Sequence, residues 1–313
     1  MSVKLADWIW MDGEFVPWED AKLHIRTECV NRGSNVFEGV RGYWNEDQQE
    51  MFLFKIPQHI RRLYESTKIM HMYPALAPSD WGDVMVELIK RNNFRGDIYL
   101  RPTVYFGEGM DVFAYTPDRI FTGAFVIASP TKCRLEWPAG ISCCVSSWCR
   151  IGDTSMPPRI KIGANYQNSR LAAVEASING YDGAILLNQQ GKVAEGPGAC
   201  VFMVRNGVAF TTPVTSGILE SITRDTLIGL FESELDTRVV VRDIDRTELY
   251  VADEVFFCGT AYEITPIASV DRYAVGNGEI GPLTRRLREL YHGILRGSSS
   301  KYREWLTPVY QGR

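Results

Sequence analysis

The stretch 157–170, PPRIKIGANYQNSR, decides how this chain is read. It places Lys161 in an apolar-leaning run of extended character, with a Gly-Ala pair following and a tyrosine five residues on. Lysine is a poor strand residue and an expensive one to bury. Two readings are open: a solvated surface lysine, or an amine held in a pocket to do chemistry. Taken alone, the stretch favours the first, because isolated lysines are mostly solvated.

Working outward, the chain has 313 residues, 45% of them apolar, which allows a large core and favours two domains over one. A net charge of −4 provides no basic field, so nucleic acid is not an expected partner. The N-terminal MSVKLADWIWMDG lacks an apolar signal-peptide core, and no apolar run approaches 18 residues, so a soluble cytoplasmic protein without a membrane span is expected. Seven cysteines are an odd count for a disulfide framework, and four scattered histidines suggest no zinc spacing; reduced cysteines and no metal site are expected.

In the first half, WIWMDGEFV reads as a hairpin turning at Asp12-Gly13. PQHIRRLYESTKIMHMY has helical spacing, and PSDWGDVMVELIKRNNF reads as a second helix with Ser79 as its N-cap. DIYLRPTVYFG and RIFTGAFVIASP read as strands. No G-x-G-x-x-G follows a strand, which argues against a nicotinamide-binding fold. Residues 129–140, SPTKCRLEWPAG, are polar with a proline near each end and form the expected linker between an N-terminal domain, 1–128, and a C-terminal domain, 141–313.

Beyond the linker, ISCCVSSW reads as a strand and a helix is expected from about Asn165 to Ile178, closed by Asn179-Gly180. AILLNQQGKVAE and CVFMVRNGVAFTT read as hairpins, the second turning at Asn206-Gly207. Helix ESITRDTLIGLFESEL, strands RVVVRDI and EVFFCGTAYEITPI, and the basic amphipathic helix GPLTRRLRELYHGIL complete an α+β chain with antiparallel-rich sheets.

A lysine amine can form a Schiff base with an aldehyde cofactor. Pyridoxal phosphate also needs an acid beside its ring nitrogen and a phosphate cradle of backbone N–H groups, best found at a helix start. Glu195 lies in VAEGPGACVF, where Gly196 and Gly198 permit close backbone approach. SGILESITRDT ends a loop and opens a helix at Ile222 and Thr223. CGTAYEITP offers a second small-residue turn at Gly259-Thr260-Ala261, and Arg62 can meet a phosphate in fork geometry. Each feature has a plain alternative: Glu195 a hairpin-edge charge, Ser221 a helix cap, Arg62 a solvated charge. Their joint order carries the cofactor reading.

That order resembles the class IV aminotransferases, the fold-type IV pyridoxal-phosphate enzymes, and among them the branched-chain amino acid aminotransferases. The matching stretches run from WMDGEFVP through GSNVFEGVRGY, HIRRL, YLRP, SSWCR, KIGANYQNSR, AEGPGACVF, SITRD and LYVADEVFFCGTAYEITP to GPLTRRL and EWL. The resemblance implies two α/β domains with the cofactor between them, assembled as at least a homodimer. It implies a transaminase moving an amino group from a hydrophobic donor to a 2-oxo acid such as 2-oxoglutarate or pyruvate. Lys161 would be the Schiff-base lysine and the proton-moving base. Glu195 would pair with the pyridine nitrogen and Tyr166 with the phenolic oxygen. Arg62, Ile222, Thr223 and Thr260 would hold the phosphate, with Leu219 against the ring. The backbone at Thr260-Ala261 would meet the substrate carboxylate. Phe37, Gly39, Tyr99 and Met110 would line the substrate pocket, and Arg101 would accept the distal carboxylate of glutamate.

Two departures stand out. Branched-chain members usually carry a tyrosine where this chain has Arg32, and a basic residue there resembles the (R)-selective amine transaminases; where those members put aromatics in the linker, this one offers Thr131, Lys132 and Arg134 and is a few residues shorter. Arg32 is either a second carboxylate anchor or a cation paired with an acid. An (R)-amine or D-amino acid transaminase is therefore the alternative. Aminodeoxychorismate lyase, or a binding protein that lost the cofactor, fits less well, since YLRP, Lys161 and Glu195 are all present.

Overall fold

The computed structural model describes residues 4–108, 121–137 and 139–311. The chain forms two compact units. The first takes in the described parts of Met1–Lys132, Ile160–Ala164 and Gly293–Arg313; the second takes in those of Cys133–Arg159 and Asn165–His292.

The first unit is built on an antiparallel sheet. Strands β1 (Trp8–Met11) and β2 (Glu14–Pro17) form the hairpin across Asp12-Gly13, both with positive φ. A short helix α1 (Glu28–Arg32) leads into β3 (Asn35–Phe37), β4 (Val40–Asn45) and β5 (Glu50–Phe54). Helices α2 (Ile56–Ile69) and α3 (Trp81–Arg91) precede β6 (Ile98–Phe106) and β7 (Thr122–Pro130), whose β-branched and aromatic residues pair in register along their whole length. Trp81, fully buried, packs 5.9 Å from Trp10 and locks α3 onto the sheet.

Ser79 does not cap α3. The N-cap residue is Asp80, and Ser79 donates its hydroxyl to the Asp80 carboxylate at 2.7 Å. Ser79 lies inside a turn closed by Asp80 N–H to Ala77 O, and its hydroxyl is spent on the Asp80 carboxylate.

The second unit carries β8 (Ile141–Cys149), α4 (Asn165–Ile178), β9 (Gly183–Leu187), β10 (Cys200–Arg205) and β11 (Val208–Thr211). Then follow α5 (Ile222–Glu234), β12 (Val239–Val241), β13 (Glu254–Gly259), β14 (Glu263–Val270) and β15 (Tyr273–Ala274). Its sheet runs β12-β11-β10-β13-β14-β8-β9, antiparallel at β11–β10, β10–β13 and β13–β14 and parallel at β12–β11, β14–β8 and β8–β9. Phe202 stacks on Phe256 at 5.1 Å, with Phe231 of α5 over them. Residues 184–195 turn back as expected, held by Leu186 N–H to Glu195 O and Ala194 N–H to Leu186 O, but β9 takes its longer ladder from β8.

Helix α6 (Pro282–Leu295) and β16 (Leu306–Pro308) close the chain. The change of unit at Lys132 and Cys133 lies inside 129–140. A C-terminal domain bearing Lys161 was the expectation, yet Ile160–Ala164 group with the first unit. The reason is strand pairing: Ile162 bridges Val36 of β3. Gly293–Arg313 group there too, since β16 pairs with β5.

Candidate active site

Lys161 is held as one rung of an added strand in the first unit. Its N–H donates to Ser66 Oγ of α2 at 3.2 Å, and its carbonyl accepts the Phe37 N–H at 2.9 Å. Gly163 N–H donates to Asn35 O at 3.0 Å. Ile160 and Ile162 are buried and point away from the partly exposed lysine, as alternation requires. The apolar neighbours anchor the backbone and leave the amine presented.

The Phe37 ring is the meeting point of two cations. Lys161 Nζ lies 5.1 Å from its centroid and the Arg101 guanidinium 3.5 Å. Each interaction contributes about 0.5–2 kcal/mol, so this ring orients both side chains. Tyr99, on β6 with Arg101, reaches over Gly39: a Cβ at 39 would overlap the tyrosine hydroxyl and lie 2.7 Å from its ring carbon. Only glycine fits there. Met110 lies outside the described residues.

Arg62 is buried, and its guanidinium forks onto Glu38: Nε to Oε1 at 2.7 Å and Nη2 to Oε2 at 2.8 Å. His59, one turn earlier on α2, contacts Glu38 Oε2 through Nδ1 at 2.7 Å. Burial pushes the Glu38 carboxyl up, but the charge of Arg62 and hydrogen bonds from both partners outweigh it and hold the group well below the usual carboxylate range. Burial pulls His59 down, against the pull of Glu38, and keeps it neutral. Because an ionised carboxylate only accepts, the His59 proton sits on Nδ1.

Arg32, at the end of α1, forms an i,i+4 salt bridge with Glu28, Nη1 to Oε2 at 2.7 Å, with its side chain 45% exposed. Of the two sequence readings, the structure contains the cation paired with an acid.

Glu195 belongs to the second unit. Glu195 is buried; Arg150 Nε donates to its Oε1 at 2.8 Å, and Leu219 N–H approaches Oε2 at 3.3 Å. Arg150, itself buried, reaches on to Asn168 Oδ1 at 3.4 Å. Tyr166 stands in the first turn of α4. At Gly196 a Cβ would sit 2.6 Å from the Phe257 ring, so glycine lets the Glu195 segment lie flat on β13.

Helix α5 opens at Ile222 and Thr223 behind a Ser221 cap that accepts the Arg224 N–H at 3.2 Å. The first N–H groups of a helix have no intrahelical partner and carry positive partial charge, which suits an anion. Arg224 pins this start to the sheet through Thr212 O at 2.8 Å and Thr211 Oγ1 at 3.2 Å. Thr260 and Ala261 form the turn between β13 and β14, between paired Gly259 and Glu263.

Glu38, His59 and Arg150 were given no individual role by the sequence. Glu38 and Arg150 sit inside matched stretches, and the available signal was an acid directly after a strand together with H-x-x-R on a helix. The structure also brings Cys133, Glu136 and His292 together, their ligand-capable atoms within 4.8 Å, although the histidines looked scattered. Cys133 Sγ donates to Glu263 Oε1 at 3.6 Å.

Residues 35–270 match the family model described as amino-transferase class IV. The chain belongs to the class IV aminotransferase family and is a pyridoxal-phosphate-dependent aminotransferase with the fold-type IV architecture. It is 41% identical over 306 residues to a probable branched-chain-amino-acid aminotransferase of Aquifex aeolicus, covering 97% of each chain. The crystal structure of the Thermobaculum terrenum branched-chain amino acid aminotransferase in its PLP form superimposes with a TM-score of 0.93 at 44% identity, over 97% of this chain and 99% of that one. A T.th. branched-chain amino acid aminotransferase complexed with N-(5'-phosphopyridoxyl)-L-glutamate does so with 0.90 at 36% identity, over 96% and 98%.

Each unit by itself carries chemistry that suits the cofactor: the first a strand-anchored lysine, the second a buried carboxylate oriented by an arginine and a capped helix start.

Proposed function

We propose that this aminotransferase moves the amino group of a hydrophobic, branched-chain-type L-amino acid to a 2-oxo acid such as 2-oxoglutarate or pyruvate. The observation that carries the reading is the clamp on Lys161, whose backbone is bonded on both sides while its amine faces Phe37. The substrate class is supported by the names of the relatives and by the phosphopyridoxyl-glutamate bound in the T.th. complex.

Pyridoxal phosphate, when bound, supplies an electron sink for charge developing at the substrate α-carbon. Lys161 anchors it and its Nζ takes the α-proton. Glu195 pairs with the pyridine nitrogen, held in orientation by Arg150. Tyr166 bonds the phenolic oxygen and Leu219 packs on the ring. The N–H groups of Ile222 and Thr223, with Thr260 and Arg62, hold the phosphate. Phe37, Gly39 and Tyr99 line the side-chain pocket. The Thr260-Ala261 backbone receives the α-carboxylate, and Arg101 the distal carboxylate of glutamate.

Arg32 is the residue behind the second reading, an (R)-amine or D-amino acid transaminase. Its bridge to Glu28 counts against use as a carboxylate anchor. The deciding experiment is one donor panel of L-leucine, D-alanine and both enantiomers of 1-phenylethylamine, with 2-oxoglutarate and with pyruvate. Turnover of L-leucine with 2-oxoglutarate is expected. Strong (R)-amine turnover without L-leucine activity would overturn the assignment.

We further propose a homodimer or higher homo-oligomer in the cytoplasm. Helix α4 buries Ala172 and Ala176 yet leaves Leu171, Val174 and Ile178 exposed on its outer side, an apolar stripe suited to a second copy. The free cysteines suit a reducing compartment. Among the described residues no helix is long and apolar enough to cross a membrane.

A further inference from the structure

Glu38 is fully buried and ionised, yet it touches neither solvent nor, in the roles assigned above, any reactant. A buried ion pair contributes little to stability compared with apolar residues of the same volume, so stability alone does not account for it. Its position does. Phe37, the preceding residue, donates its N–H to the Lys161 carbonyl. Glu38 itself is fixed by donating its N–H to Pro102 O at 2.8 Å. From there its carboxylate binds two residues of α2, His59 and Arg62, and Ser66, one turn beyond Arg62, accepts the Lys161 N–H. One dipeptide, Phe37-Glu38, thus sets the register of the lysine and the angle of the arginine.

We propose that Glu38 is a positioning residue for the cofactor phosphate, acting through Arg62. It occupies the Nε edge and one Nη of the guanidinium, and so fixes the direction in which the remaining N–H groups of the planar fork point. His59, neutral with its proton on Nδ1, bonds the same carboxylate oxygen that Arg62 Nη2 uses and keeps the carboxylate from rotating. The gain is orientation and the cost is charge, since a carboxylate beside Arg62 weakens its pull on a dianion. Orientation outweighs charge because a phosphate is bound by directed hydrogen bonds at short range. The inference rests on Arg62 meeting the phosphate, as proposed above.

The test uses protein stripped of cofactor and titrated with pyridoxal 5′-phosphate and with pyridoxal, which lacks the phosphate, following tryptophan fluorescence. Glu38→Gln should lose tenfold or more in affinity for the phosphate-bearing ligand and less than twofold for pyridoxal. Arg62→Lys should show the same selective loss, and the double variant should be within twofold of Arg62→Lys alone. Equal losses for both ligands would make Glu38 merely structural, and losses that add in the double variant would separate it from Arg62; either overturns the proposal. Tighter phosphate binding in Glu38→Gln would do so as well, since charge would then outweigh orientation. If Glu38→Gln does not fold, Glu38→Asp keeps the charge but withdraws it by one methylene; an intermediate, phosphate-selective loss is expected, and wild-type affinity refutes the idea. Wild-type protein binding neither ligand would instead sink the cofactor assignments beneath it.

Discussion

The Phe37 N–H donates to the Lys161 carbonyl at 2.9 Å, joining residues 124 positions apart in sequence. With Ser66 Oγ on the Lys161 N–H, both backbone groups of the lysine are bonded, so its side chain departs from a fixed point. A base can act only within hydrogen-bond reach of its proton, and a fixed backbone is the precondition for holding an amine in one place.

Replacing Lys161 by alanine is therefore expected to lower transamination by at least about 10²-fold while the fold persists. Turnover with L-leucine, a thermal melt and borohydride fixation of a pyridoxyl group together measure this. Full residual turnover would refute the base assignment.

Glu195 and Arg150 answer differently to substitution. Arg150→Met leaves a buried carboxylate without its cation, at a cost on the order of 3 kcal/mol, read by urea unfolding. Glu195→Gln keeps the shape and should reduce turnover by roughly 10²-fold with a smaller stability change. Comparable turnover in Glu195→Gln and wild type would disprove the ring-nitrogen role.

Gly39→Ala forces Tyr99 to move and should cost about 1–3 kcal/mol by overpacking. Adding Tyr99→Phe removes the atom nearest the new methyl and should recover part of the loss. A neutral Gly39→Ala would refute the close approach of Tyr99 to Gly39.

Acid sensitivity follows from the Glu38 cluster. Its carboxyl lies lower in the folded than in the unfolded chain, where it titrates near about 4.3, so its stabilisation is fully present above that value and is lost as pH falls towards the folded value. His59 is also lowered, from an unfolded value of about 6.5, so its protonation in the unfolded chain removes stability as pH drops below that point. Both act in the same direction. Denaturant midpoints should fall less steeply than in wild type between about pH 5 and pH 2 for Glu38→Gln, and between about pH 7 and pH 4 for His59→Asn, and parallel curves in those windows would refute the linkage.

Arg32→Tyr is expected to change stability by no more than about 0.5 kcal/mol, the usual worth of an exposed i,i+4 pair. The donor panel should be unchanged. A shift of preference between L-leucine and the (R)-amine would give Arg32 a direct part in substrate choice.

The local elements were legible in the sequence because their signals are local. Asp12-Gly13 and Asn206-Gly207 adopt positive φ at the two hairpins, and α4 runs from Asn165 to Ile178 as its spacing predicts. Ser79 was misread because Ser and Asp both suit a cap, and only the turn at Ala77–Asp80 decides which residue faces the helix. The cation–π contact of Arg101 with Phe37, and the pairing of Arg32 with Glu28, depend on side-chain directions that no spacing encodes.

By itself the sequence determined the family and the cofactor and singled out Lys161 as the candidate lysine, since these rest on ordered short motifs each readable within a short window. The tertiary structure decided which strand the lysine joins and which acid holds Arg62. Lys161 belongs with β3 through hydrogen bonds closed across a long stretch of chain, and Glu38 meets His59 and Arg62 only where a strand end abuts a helix face. Those are pairings of backbone and charge at long separation, fixed by packing once the chain has folded.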